Sequence, residues 1–220
     1  EYAYGKNDWT TARLMKLLNP SDYYIVDSND NNLGQSLYYN SASGKCYSGQ
    51  NNATVNCDFT STGIKNNITR NMIAETTYYL GGWTDSEIYS NQIYEYERET
   101  TVYTGRPTTW TGKIALAYPS DYGYAADLNH CKDKTLTNYF DSTCPSNNWM
   151  IRTLNSRSFL WLLTPFSGDS SRAWIVYDGG FVGNGFASDA SSAAPVLYLD
   201  SELGIESGDG SSSNPYKLSA

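Results

Sequence analysis

Between Phe166 and Ala194 the chain reads FSGDSSRAWIVYDGGFVGNGFASDASSAA. Apolar runs that look like core strands flank it, SFLWLLTPF before and PVLYLD after. Inside it, AWIVYD and GFVGNGFA are also strand-like and are bounded by Gly, Ser and Asp turns. Side chains alternate across a strand, so Trp174 and Val176 share one face, and Ala173, Ile175 and Tyr177 share the other. With Val182, the first pair supplies a buried frame. Ser170, Ser171, Arg172, Ile175, Tyr177, Asp178, Phe181, Asn184, Phe186, Ser188, Asp189, Ser191 and Ser192 are then left for the other face and the turns. Large aromatics among small, adaptable polar residues describe a recognition surface. Composition alone fits a solvated sheet face with incidental aromatics equally well.

Working outward, Asn7 or Asp8 can cap a helix over WTTARLMKLLN, with Leu14, Leu17 and Leu18 on one stripe and Pro20 beyond its end. YYIVD reads as a strand and is followed by a long polar excursion, 28–66. The pattern of NITRNMIAETTYYL predicts a second helix, with Met72, Thr76 and Tyr79 on one face and Gly81-Gly82 as its stop. IYEYERETTVY alternates Tyr94, Tyr96 and Arg98 against Glu95, Glu97 and Glu99, which predicts a half-exposed strand. GKIALAYP reads as a buried strand, SDYGYAAD as a turn, and SGDGSSSNPYKL as a turn with a terminal strand. There is no repeat and no linker, so the economical reading is one α+β domain over 1–220.

The totals limit the function. A net charge of −8 with no Lys/Arg cluster excludes the basic footprint that nucleic acid requires, and it disfavours an anionic membrane. No apolar run approaches the length of a membrane span, and no signal peptide is visible. The abrupt start at Glu1 leads to the expectation of a trimmed ectodomain with its anchor upstream. The wealth of Tyr, 20 in all, together with few Lys, is common on extracellular binding proteins. Cys46 and Cys57 bracket one short stretch, and Cys131 and Cys144 bracket another. The simplest reading is two local disulfides in an oxidising setting; four reduced thiols are the alternative.

The motifs that would carry chemistry fail one by one. His130 is the single histidine, it abuts Cys131, and no G-x-S-x-G accompanies it, so a hydrolytic triad and a His-rich zinc site are both unexpected. TGRPTTWTGK has six residues instead of four between Gly105 and the Gly112-Lys113 pair, which spoils a phosphate loop. Asp27, Asn29 and Asn31 resemble the start of a calcium loop, but Asn32 and Tyr38 stand where Gly and Glu belong. Asn52 and Asn67 sit in glycosylation triplets. The carboxylates are scattered without a distinctive pair. No enzyme, cofactor or metal is expected.

The combination WLLTPFSG, AWIVYDGGFV and APVLYLDSELGIESGDGSSSNPYKL resembles the C-terminal half of C-type-lectin-fold domains on surface proteins of gut Bacillota. The segment YEYERETTVYTGRPTTWTGKIALAYPSDYGYAAD, the Cys131–Cys144 segment and the NDW…LMKLLN helix are similar to the same family's remaining sections. Ala193-Ala194 before Pro195 departs from it, because the family has an Arg there. The resemblance implies two helices packed on antiparallel sheets with long loops, and in many members a pilin-like membrane helix upstream. It extends to variable proteins of diversity-generating retroelements, in which randomised adenines diversify a C-terminal segment. Lys, Glu, Gln, Met and Trp lie outside what such randomisation yields; the first four do not occur in 166–194, and the only Trp there is Trp174, a frame position. The implied function is adhesin-like binding of a protein or glycan at the bacterial cell surface, with pilus subunits as further partners. Tyr177, Phe181 and Phe186 would be rigid anchors, and Arg172, Asp178 and Asp189 would provide polar selection. The E-P-N and Q-P-D signatures of calcium-dependent sugar binding are absent. The runner-up is a structural pilin subunit. A formylglycine-generating oxidase of the same fold would need reactive cysteines late in the chain, and none follows Cys144.

Overall fold

The computed structural model describes residues 5–26, 34–46, 56–85, 87–140, 143–154 and 159–219. Its centre is β6 (Leu160–Pro165), every residue of which is buried. β6 pairs antiparallel with β7 (Arg172–Val176), β7 pairs antiparallel with β8 (Val182–Phe186), and the short β9 (Ser192–Ala193) runs parallel to β6 on its other side. The order β8-β7-β6-β9 leaves β8 at an edge among the described residues. Core packs on both faces of this sheet. Trp161, Leu163 and Ile175 join Trp9, Met15 and Trp110 on one side. Leu160, Leu162, Trp174, Val176 and Val182 join Ile93, Tyr122, Leu136 and Tyr139 on the other. A strand covered on both faces reads as a continuous apolar run, as WLLTP does. At about 25 cal/mol per Å2 of apolar area, a wholly buried indole such as Trp161 or Trp174 is among the largest single contributions to this core.

The other strands form antiparallel pairs. β1 (Ser43–Lys45) pairs with β2 (Asn56–Asp58), β3 (Thr76–Tyr79) with β4 (Thr109–Gly112), β5 (Ile114–Leu116) with β10 (Pro195–Leu197), and β11 (Gly204–Ser207) with β12 (Lys217–Ser219). The helices are short: α1 (Arg13–Leu18), α2 (Asn67–Asn71), α3 (Ser90–Glu97), α4 (Pro119–Tyr124), α5 (Leu128–Cys131), α6 (Thr143–Ser146) and α7 (Trp149–Leu154). The architecture is mixed α and β with small antiparallel sheets, as the α+β reading expected. Both disulfides are formed, Cys46–Cys57 across β1 and β2 and Cys131–Cys144 from α5 to α6, with Cα separations of 5.3 and 5.9 Å. Among the described residues no helix is long and apolar enough to cross a membrane.

The N-terminal helix is present but divided. Asp8 caps a 3-10 turn at Trp9–Thr11, accepting from the Thr10 amide at 3.0 Å, and Ala12 is extended before α1 begins. Asn19 then fastens α1 to β5. Its amide donates to the Met15 and Ile114 carbonyls, and its oxygen accepts from the Lys113 and Ile114 amides, so a wholly buried side chain has all four hydrogen-bond positions filled.

Four expectations are corrected. YYIVD is a 3-10 turn at Ser21–Tyr23 followed by irregular chain, with Ile25 fully outside the core; Asp27 lies outside the described residues. NITRNMIAETTYYL is helical only over α2, which Asn66 caps, and its TTYY half is β3, paired with β4. Gly81 and Gly82 stop no helix: a Cβ on Gly81 would run into the Tyr96, Glu97 and Glu99 carbonyls, and one on Gly82 into the Pro165 carbonyl. IYEYERE is α3, in which Ser90, Ile93 and Glu97 face inward at helical spacing. SDYGYAAD is mostly α4, opened by Pro119 at its first turn and by the Asp121 carboxylate, which accepts from the Tyr118 amide at 3.0 Å.

Candidate functional site

The hairpin of β7 and β8 carries most of the residues singled out by sequence. In its register Arg172 faces Phe186, Trp174 faces Asn184 and Val176 faces Val182, so Arg172, Asn184 and Phe186 lie on the frame's own face, at its outer end, and not on the opposite face that was expected of them. Trp174, Val176 and Val182 are buried, as a frame requires. Ile175 is also buried, at 3 % exposure, because the second core layer covers the face expected to meet a ligand. It is therefore part of the core and removed from the candidate surface.

Asn184 joins the polar residues of the hairpin. Its side-chain oxygen accepts from Arg172 Nη1 at 2.7 Å, and its backbone carbonyl accepts from the Tyr177 hydroxyl at 2.8 Å. Tyr177 reaches that carbonyl by lying across Gly183, where a Cβ would press on its ring. The Arg172 guanidinium lies 4.0 Å from the centre of the Phe186 ring, a cation–π contact, and 3.4 Å from an Asp169 carboxylate oxygen. Tyr177 stacks face to face on Phe181 at 4.6 Å, with the planes 4° apart. Phe159 meets Tyr177 edge-on at 5.1 Å, and Phe140 meets Phe181 edge-on at 6.5 Å. Burial pushes the Tyr177 phenol's pKa up, so it is a neutral donor at physiological pH.

Asp178, Phe186 and Asp189 are exposed, while Ser170, Ser171, Arg172, Tyr177, Phe181, Asn184 and Ser188 are half-buried. Ser192 pairs with Leu160 in β9, so with Ser191 it lies beyond β6, away from the β8 edge. The structure thus brings together Arg172, Tyr177, Phe181, Asn184 and Phe186, and it separates Ser191 and Ser192 from them.

The loop entering β7 is held by residues that the sequence reading did not assign to it; Asn7, a cap candidate in that reading, leaves the cap to Asp8. The buried Asn7 amide has its two hydrogens among three carbonyls, those of Phe166, Asp169 and Arg172, at 2.8 to 2.9 Å. Arg106 donates to the Asn7 side-chain oxygen at 3.1 Å and to the Ser170 carbonyl at 3.4 Å. The Asp169 carboxylate accepts from the Ser171 amide at 2.9 Å and hydroxyl at 2.7 Å, and these bonds hold its pKa below the ordinary value. Asn7 is 159 residues from Phe166, and no local pattern marks such a partner.

Other sequence candidates lie elsewhere. His130 is exposed and, among the described residues, pairs with Asp127 alone, at 2.9 Å, next to the disulfide. Asn67 is exposed at the start of α2, and its oxygen accepts from Arg70 at 2.8 Å. Asn52 and the Asp27, Asn29, Asn31 run lie outside the described residues. Among the described residues no three His, Cys, Asp or Glu side chains gather as a metal site would require. No protein-family model matches the chain, and comparisons with curated proteins and with solved structures find no match.

Proposed function

We propose that this chain is a ligand-binding domain of C-type-lectin-like type, displayed outside a bacterial cell, that recognises a protein or glycan and performs no catalysis. The observation that carries this reading is the cluster of Arg172, Asn184 and Phe186 on the paired strands β7 and β8, with the stacked Tyr177 and Phe181 at the turn that joins them. Rigid rings cost little side-chain entropy on binding, and neighbouring Ser, Asp and Asn supply adaptable hydrogen bonds. The two disulfides agree with an oxidising compartment. The segment's lack of Lys, Glu, Gln and Met supports its being the diversified part of a retroelement variable protein.

Sequencing many copies of the locus from one bacterial population tests this reading. Substitutions are expected at Arg172, Asp178, Asn184, Phe186 and Asp189, with Trp174, Val176 and Val182 unchanged, and a template repeat with a reverse transcriptase gene is expected nearby. Identical copies with no such neighbours would remove diversification from the account.

A further inference from the structure

A groove of about 470 Å3 opens where the start of α3, the end of α4, α5 and the turn after Cys131 meet. The side chains of Tyr89, Asn91, Tyr124, Leu128, Lys132 and Asp133 line it, and none of them belongs to the 166–194 segment. Its volume is within the roughly 300–1,000 Å3 of small-molecule sites. Tyr89, Tyr124 and Leu128 each leave more than a third of their surface exposed. The side chains of Asn91, Lys132 and Asp133 have no hydrogen-bond or ion-pair partner among the described residues. Rings, an amide, a donor and an acceptor thus surround one opening; the buried Ser90 at its base is held by the Tyr139 hydroxyl at 3.4 Å, and the side chains of Asn91, Lys132 and Asp133 are left for a ligand.

The walls are tied to one another. Cys131–Cys144 ties α5 to α6 directly behind the turn that carries Lys132 and Asp133. The Leu136 amide donates to the Ile88 carbonyl at 2.9 Å, next to Tyr89. The buried Tyr139 hydroxyl lies 3.2 Å from the Gly123 carbonyl and 3.4 Å from the Cys131 carbonyl, so it connects α4 and α5. Gly123 lets α4 close onto α3, since any Cβ there would strike the Ser90 side chain. A site pre-formed in this way saves the ordering cost that weakens binding to loose loops.

The lining restricts the ligand class. Lys132 and Asp133 cancel in charge, so an anion would meet Asp133 and a cation would meet Lys132. A purely apolar ligand would strip water from an amide, an ammonium and a carboxylate without replacing their hydrogen bonds. Hydroxyls both donate and accept, so a polyol can satisfy all three, and the C–H faces of a sugar ring can lie on tyrosine rings. We propose that this groove binds a neutral saccharide of one or two rings, with Tyr89 and Tyr124 as platforms and Asn91, Lys132 and Asp133 as hydroxyl partners. It would be a second binding site, independent of whatever the β7–β8 edge recognises.

Saturation-transfer NMR on the whole chain tests the proposal, with lactose, maltose, cellobiose and diacetylchitobiose as probes and free glycine as a zwitterionic control. At least one disaccharide is expected to bind with a Kd on the order of 1 mM. Tyr124→Ala should weaken it about tenfold or more, Asn91→Ala should weaken it severalfold, and Phe186→Ala should leave it unchanged. Thermal melts should show each variant folded, because Tyr124 and Asn91 are exposed. The proposal is overturned if no disaccharide binds, if folded Tyr124→Ala binds as tightly as the parent, or if glycine displaces the sugar.

Discussion

Asn7 shows how one side chain can shape a distant surface. Its amide is the shared donor for three carbonyls of the loop entering β7, and its oxygen receives Arg106. Asn7→Ala would leave those carbonyls buried or open the loop to water, at a cost of about 3 kcal/mol, measurable by urea denaturation. Asn7→Asp should rescue nothing, because a carboxylate has no N–H to give. A loss under about 0.5 kcal/mol would show that water replaces the amide. Glu97 is the second residue with a large expected effect. Its side chain is wholly buried and accepts from the Ser120 amide at 2.9 Å and hydroxyl at 2.5 Å, with Arg98 at 3.2 Å and Asp121 close by. Burial outweighs those hydrogen bonds and the Arg98 charge and pushes its pKa from the ordinary 4.5 up to about 8. The folded chain therefore holds a proton that the unfolded chain has released between those values. The resulting stability is complete below pH 4.5 and is lost as the pH rises through about 8, on the order of a few kcal/mol. Glu97→Gln should flatten the fall in stability between pH 5 and 8. An unchanged slope in the variant would assign the pH dependence elsewhere.

At the scale of elements, α5 and α6 depend on their disulfide. Replacing Cys131 and Cys144 together by Ser opens a loop with ends 13 residues apart and should cost about 3 kcal/mol in chemical denaturation. The same replacement at Cys46 and Cys57 should cost less, because β1 and β2 have no buried residue and little core packs behind them. The contrast between strand and helix readings has a physical origin. WLLTP and AWIVYD were legible because strands covered on both faces must be apolar throughout. IYEYERE was misread because alternating Tyr and Glu mimics period two, while its helical inner face is Ser90, Ile93 and Glu97, of which only Ile93 is apolar. A buried carboxyl carries no hydrophobic signal, so the pattern that would have identified the helix was missing. The NITRN–TTYY run failed similarly: both halves are weakly periodic, and only the pairing with β4 decides that TTYY is a strand. For the candidate site, the frame of Trp174, Val176 and Val182 was readable from alternation. The burial of Ile175 was not, because it depends on Trp9, Met15 and Trp110 arriving from distant segments.

For the molecule as a whole, the two binding surfaces proposed lie on different parts of the fold. The β7–β8 edge belongs to the central sheet, and the tyrosine groove belongs to the helices and the disulfide-tied turn. Binding at one should therefore tolerate loss of the other, and Tyr124→Ala should leave recognition at the hairpin intact. The half-buried Tyr177 and Phe181 stack on each other and support the edge, so they are poor positions for probing binding without disturbing structure. Asp178, Phe186 and Asp189 are exposed and avoid that difficulty. The most direct measurement applies the purified chain, and a variant carrying Asp178→Ala, Phe186→Ser and Asp189→Ala, to arrays of glycans and bacterial and host surface proteins. The account predicts that the parent binds at least one arrayed molecule with micromolar affinity or better, and that the variant melts within a few degrees of the parent yet loses at least about tenfold in affinity. A folded variant that binds undiminished a molecule whose binding Tyr124→Ala does not weaken, or a parent that binds none of them, would contradict it.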